Sequence, residues 1–204
     1  MAITKGLAIQ CADLQRTGGI SQIFLRNWAT DDVVTFTSTA ATAHEISSIV
    51  DSGASTASWH MFEFKDEVPT LSVTAAKENG STSFECVLSF YLPRLGALAD
   101  STKMAKLQEL LDGCLMGIVV DTNGARWVIG ASEQYSVGGS ANANISRSQT
   151  YLNLTSMEGA TGAAYTEENG ITVVLTARQF ELPRLYTGTL TVDLDTADMA
   201  ATTN

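Results

Sequence analysis

Two histidines, His44 and His60, are the first residues to test for chemistry, because imidazole titrates near neutral pH and is a common zinc ligand. Neither stands at metal-ligand spacing to a cysteine or carboxylate, as in HExxH or CxxC. His60 alternates with Phe62 and Phe64 in a strand-like run, the setting of a structural histidine. Serines are abundant, but no GxSxG elbow presents one as a nucleophile. The carboxylate doublets Asp31-Asp32, Asp66-Glu67 and Glu167-Glu168 sit near turns. Neighbours on a strand point to opposite faces, so the doublets read as solvated loop carboxylates. Asp193 and Asp195 share a face as alternate residues, yet no EF-hand spacing makes them a calcium site. The run from Val137 to Ala141 is glycine-rich but lacks the Lys-Ser/Thr of a phosphate loop. Trp28, Trp59 and Trp127 each fall in a strand pattern, which favours core or interface packing over a sugar platform. The sequence therefore predicts no catalytic residue, no cofactor, no metal and no enzymatic activity.

Composition narrows the class further. A chain of 204 residues suits a single β-rich domain spanning 1–204 and needs no disulfide or metal to fold. Only 17% of residues are charged, and Thr, Ser, Ala and Gly fill the difference. That mixture suits strands with small polar faces, or surfaces that pack against other subunits. The net charge is −10, and the basic residues are scattered from Lys5 to Arg184. Nucleic-acid binding needs a concentrated basic footprint, so none is expected. The three cysteines, Cys11, Cys86 and Cys114, have no CxxC spacing, and Cys86 and Cys114 fall on apolar faces. They read as small buried hydrophobes in a reducing compartment. The start, MAITKGLAIQ, shows no signal-peptide pattern, and no run approaches the ~20 apolar residues of a membrane span. Synthesis in a cytoplasm is expected.

The elements follow from turns and periodicity. Asn79-Gly80 as a two-residue turn sets Ala75 against Phe84, Val73 against Cys86 and Leu71 against Leu88, with Lys77–Thr82, Thr74–Glu85 and Thr70–Ser89 on the other face. Asn123-Gly124 predicts a second hairpin, pairing Val120 with Trp127, Ile118 with Ile129 and Met116 with Ala131, with Val119–Val128 and Asp121–Arg126 opposite. Both its faces are apolar, so it is expected to be covered on both sides. Around Asn169-Gly170, a three-residue loop pairs Tyr165 with Val173 and Ala163 with Leu175, with Gly170 left-handed. Further strands are expected at 20–28, 33–37, 58–65 and 187–194. One helix, capped by Asp100 or Ser101 and ended by Gly113, carries Met104, Leu107, Leu110, Leu111 and Cys114 at helical spacing, with Lys103, Lys106 and Glu109 opposite. The fold class is thus all-β with one flanking α-helix. The polar segments at about 38–57 and 136–149 fit no element and are candidate assembly arms.

The run Trp59-His-Met-Phe-Glu-Phe, the Asn-Gly hairpin, the LQELLDG helix, Ile118-Val-Val-Asp-Thr-Asn-Gly-Ala-Arg-Trp-Val-Ile-Gly and Ala164-Tyr-Thr-Glu-Glu-Asn-Gly-Ile-Thr-Val-Val-Leu-Thr-Ala come in a familiar order. Over roughly residues 59–180 this resembles the tail tube (major tail) proteins of bacteriophages. The resemblance implies a β-barrel or sandwich with a helix on its flank. It implies hexameric rings stacked into a virion tail tube, whose lumen passes DNA without specific binding. Implied partners are the chain itself, then sheath, baseplate and tail terminator proteins, with no membrane. Head-tail joining, tail terminator and baseplate hub proteins have related folds. A carbohydrate-binding β-sandwich is the alternative from a different class.

Overall fold

The computed structural model describes residues 18–28, 32–37, 44–50, 58–62, 64, 69–93, 107–111, 113–132, 151–160 and 169–193. Among them are the strands β1 (Ile20–Asn27), β2 (Val33–Phe36), β3 (Glu45–Val50), β4 (Ser58–Phe62), β5 (Thr70–Glu78), β6 (Ser81–Pro93), β7 (Leu115–Asp121), β8 (Arg126–Ile129), β9 (Asn153–Ala160), β10 (Gly170–Gln179), β11 (Arg184–Tyr186) and β12 (Thr191–Asp193). A short helix, α1, covers 107–111. The expected class, all-β with one flanking helix, is the observed one.

An eight-stranded sheet has the order β12-β4-β1-β7-β8-β11-β3-β2. Its curl follows from chain length. β11 and β12 stand five strand positions apart, about 24 Å in a flat sheet. The five residue steps from Tyr186 to Thr191 reach only about 17 Å. The sheet must therefore bend round on itself as a half-barrel. Its concave side holds one core: Phe24, Val34, Ile46, Ile49, Trp59, Met116, Ile118, Val120, Val128, Ala131 and Tyr186.

The four-stranded antiparallel sheet runs β5-β6-β10-β9. Its inner face shares a second core with the outer side of the curled sheet: Cys86, Leu88, Phe90, Ile171, Val173, Leu175 and Ala177 meet Ile23, Leu25, Leu115, Val119 and Ile129. Leu107 and Leu110 of α1 pack into the same core. β7 serves both cores, odd residues to one and even residues to the other, which is why it is buried along both faces.

The first hairpin has the expected register, including Ala75↔Phe84, Val73↔Cys86 and Leu71↔Leu88. Asn79 (φ 48°) and Gly80 (φ 83°) both occupy the left-handed region that a two-residue primed turn requires. One detail changes: Lys77 alternates with Ala75 and shares its face, not the face of Thr74. The second hairpin is covered on both sides as expected, but its register slips by one, to Val119↔Trp127 and Ile118↔Val128. The cause is a three-residue loop. The Asp121 amide donates to the Ala125 carbonyl at 2.9 Å, and the Asp121 carboxylate accepts from the Asn123 and Ala125 amides. Gly124 takes φ 84° there.

The third hairpin differs more. Val173 faces Met157, not Tyr165, and Leu175 faces Leu154, not Ala163. Gly170 is not left-handed; a Cβ there would collide with the Leu92 carbonyl oxygen and the Tyr91 ring. The strand expected at 187–194 is observed in shortened form as β12, and a further short strand, β11, lies just before that span. Residues 45–50, within the polar segment 38–57, form β3 and bury Ile46 and Ile49. The rest of that segment, all of 136–149, and the helix positions 100–106 lie outside the described residues. Leu111 is 48% exposed, and Cys114 lies exposed beyond the helix, not on its buried face.

Candidate functional site

The residues that carry chemistry are dispersed. His44 is exposed in the turn before β3, and His60 is exposed on β4 beside Leu25 of β1. Among the described residues, no three of His, Cys, Asp and Glu lie close enough to hold a metal ion. Asp32 is not a solvated loop carboxylate: it is buried and accepts from Arg26 Nη2 at 2.6 Å. The Arg26 guanidinium also lies over the Trp59 ring, 5.7 Å from its centroid. Arg184 is similarly buried against Glu181 at 2.8 Å. Two of the described basic residues are thus consumed by internal pairs and contribute to no basic patch. Asp31, Asp66, Glu67, Glu167, Glu168, Asp195, Cys11 and the run at 137–141 lie outside the described residues. Trp59 is fully buried, whereas Trp28 and Trp127 are half-buried; Trp28 leans on Tyr151 at 6.0 Å.

Cys86 is buried, and its thiol donates to Gln179 Oε1 at 3.0 Å. Gln179 Nε2 in turn donates to the Ala131 carbonyl at 2.7 Å, tying the four-stranded sheet to the end of β8. Burial, with the charge of Glu85 next to it, pushes the Cys86 thiol up to about 12. Such a thiol stays protonated and is no nucleophile.

The surface with the clearest design is the outer face of the four-stranded sheet. Register places Thr70, Ser72, Thr74 and Ala76 of β5 beside Ser89, Val87, Glu85 and Ser83 of β6. Across β6 lie Thr172, Val174, Thr176 and Arg178 of β10, and beyond them Glu158, Ser156 and Asn153 of β9. Small hydroxyl side chains predominate on the face, with Ala76, Val87, Val174, Tyr91 and Asn153 among them and Glu85, Glu158 and Arg178 as the exposed charges of the described side chains. Arg178 stands 3.9 Å from Glu85, both solvent-exposed, a pair worth little to stability. Within the described residues, β5 pairs only with β6 and β9 only with β10, so both edges offer free backbone groups.

Beside β5, a cleft of about 1010 Å³ opens between the two sheets. Ile20, Leu71, Val73, Val119, Trp127 and Leu182 give it an apolar lining. Val73 and Leu182 remain 39% and 51% exposed on it.

β9 escaped sequence reasoning because of a bulge. Leu154 and Met157 both pack on the core, although three residues apart, since the register shifts between Val174 and Leu175. A period-2 reading cannot see such a strand. Comparison with known proteins found no match to a protein-family model, a curated protein or a solved structure.

Proposed function

We propose that this chain is a structural subunit of a bacteriophage tail tube, joining copies of itself edge to edge into rings. The observation that carries the reading is the four-stranded sheet with a core on one face, hydroxyl side chains on the other, and two open edges. Neighbouring strands alternate in direction, so β5 and β9, at opposite edges, run antiparallel to each other. A copy rotated about an axis along the strands therefore sets its β9 antiparallel to β5 of the next, the better-bonded pairing. The contact joins two different edges, and such heterologous contacts close into rings where the rotation fits. The hydroxyl-rich face then lines the channel. Among the described side chains, two carboxylates against one guanidinium leave it weakly negative, so passing DNA meets no attraction to be released at each step. The resemblance noted above adds six copies per ring, stacked into the tail. The chain acts without enzymatic activity in this reading.

Electron microscopy tests it. The purified chain, alone or with its baseplate and tail-length partners, should form rings or tubes. Thr74→Lys combined with Ser156→Lys places like charges on both edges and should leave a folded but dispersed subunit. Tubes from the double variant, or none from the unmodified chain with its partners, would overturn the proposal.

A further inference from the structure

The two open edges of the four-stranded sheet restrict which residues can meet where copies join. The two-residue turn at Asn79-Gly80 makes Glu78↔Ser81 a hydrogen-bonded pair, and bonded pairs alternate along an antiparallel ladder. Thr70, Ser72, Thr74 and Ala76 therefore bond to β6, while Leu71, Val73 and Ala75 turn their amides and carbonyls to the open edge. Carried across β6 and β10, the same alternation turns Met157 and Gly159 outward on β9. On both edges the outward-bonding residues are those on the core side of the sheet, the side of Leu71 and Met157. The match depends on the even number of strands. An odd number would turn out core-side residues at one edge and channel-side residues at the other.

We infer that in the ring Val73 of one copy stands directly opposite Met157 of the next, with Leu71 opposite Gly159, as hydrogen-bonded pairs. The inference rests on the ring reading and specifies its seam. Opposed residues of an antiparallel pair share a face and a bonding state, so alternative registers differ by steps of two residues. This register pairs Thr70 to Thr74 with Ala160 to Ser156, all of β9 beyond its bulge. It sets Leu71 over Gly159, where no side chain competes for space, and Val73 beside Met157. Two residues further, Val73 would face the glycine and Leu71 would pass the end of β9. Two residues back, the bulge would cut the ladder after Thr70, Leu71 and Ser72.

Closure favours the same choice. Within one chain Thr70 is level with Ser89, Val174 and Ser156. Across the seam Ser156 meets Thr74, so successive copies shift along the strands by four residues, about 14 Å, for about 19 Å of sheet width. The strands then tilt by about 35° to the ring axis, at the lower end of the range for closed barrels, whatever the number of copies. The registers two residues either side give tilts of about 47° and about 20°, outside that range.

Two measurements on assembled protein test it. In a Cys11→Ser, Cys114→Ser background, Thr74→Cys with Ser156→Cys makes a non-bonded pair, whose side chains approach closest. Oxidation should link it into a ladder of chains that ends at one full ring. Positions 74 and 156 lie on opposite edges of one chain's sheet, three strand spacings or about 14 Å apart, too far for an internal disulfide. Thr74→Cys with Glu158→Cys, and Ser72→Cys with Ser156→Cys, report the neighbouring registers and should stay unlinked. Without any substitution at the seam, hydrogen exchange at the Leu71, Val73, Met157 and Gly159 amides should slow about tenfold or more between monomer and ring. Links through either neighbouring pair, links through none, or protection of Val73 and Ala75 without Leu71 would overturn the register and leave the ring reading standing. No ring from the unmodified chain with its partners would overturn both.

Discussion

The hairpins β5–β6 and β7–β8 are built from similar material and end differently. β7 is buried on both faces and feeds two cores. β5 is exposed along almost its whole length, and its inward residue Val73 is 39% exposed. Yet β5 carries a clean apolar alternation, Leu71, Val73, Ala75, that only a covered strand needs. The difference indicates which hairpin is finished within the chain and which has apolar capacity left over. Among the described residues, β7 is covered on both faces, whereas β5 keeps a face and an edge without a neighbour.

The sharpest way to break this contrast is to truncate each hairpin's inward residues. Ile118 is fully buried in the curled core, so Ile118→Ala should cost about 2–5 kcal/mol in denaturant unfolding. A loss below about 1 kcal/mol would deny β7 its central place. Next, Gly80→Val should destabilise by about 1–3 kcal/mol. Nothing lies within 4 Å of a Cβ at Gly80, so the whole effect comes from its φ of 83° and none from crowding. Wild-type stability would mean the turn relaxes freely.

Third, Cys86 gives the inner side of the exposed hairpin an alkaline signature. Its folded value, about 12, lies above the ordinary 9.0 of an unfolded chain. The stabilisation is therefore complete below pH 9 and lost as pH rises toward 12, because the unfolded chain releases the proton first. The slope should approach about 1.4 kcal/mol per pH unit. Tyr186, raised by burial from 10.0, adds to the fall at higher pH. Cys86→Ala should flatten the part between 9 and 10 in pH-dependent unfolding; an unchanged slope there would place the titration elsewhere. The smallest effect belongs to Val73→Ala, under about 0.5 kcal/mol if only the described chain surrounds it. A larger cost in dilute monomer would show that something already covers the residue.

Legibility in the sequence followed how many faces each element buries. The β5–β6 register could be read because one side of the pair is apolar and the other polar, so a slip is visible. On β7–β8 both sides are apolar, so a one-residue slip left the pattern just as good, and the Asp121 side chain decided the loop length. β9 was hidden by its bulge, and β3 by its small serines, with only Ile46 and Ile49 to mark it. The candidate surface itself is a property of register: Ser72, Val87, Thr176 and Asn153 become one row only when four strands are aligned. No local motif announces that row, whereas the dispersal of His44, His60, Cys86 and Cys114 was readable from spacing alone.

The placement of β11 has a consequence for biogenesis. β11, residues 184–186, is the strand through which β3 and β2 join the rest of the curled sheet. The ribosome finishes β3 at Val50 and reaches Arg184 more than a hundred residues later, a delay on the order of ten seconds. During that interval the β2–β3 pair has no berth in the sheet, and its apolar side has no partner strand system to pack on. Nascent chains would need shielding then, and slow translation or high temperature would convert the wait into aggregation. Once β11 arrives the sheet can close, and in the proposed assembly a chain truncated before β11 would lack the strand that joins β2 and β3 to the rest.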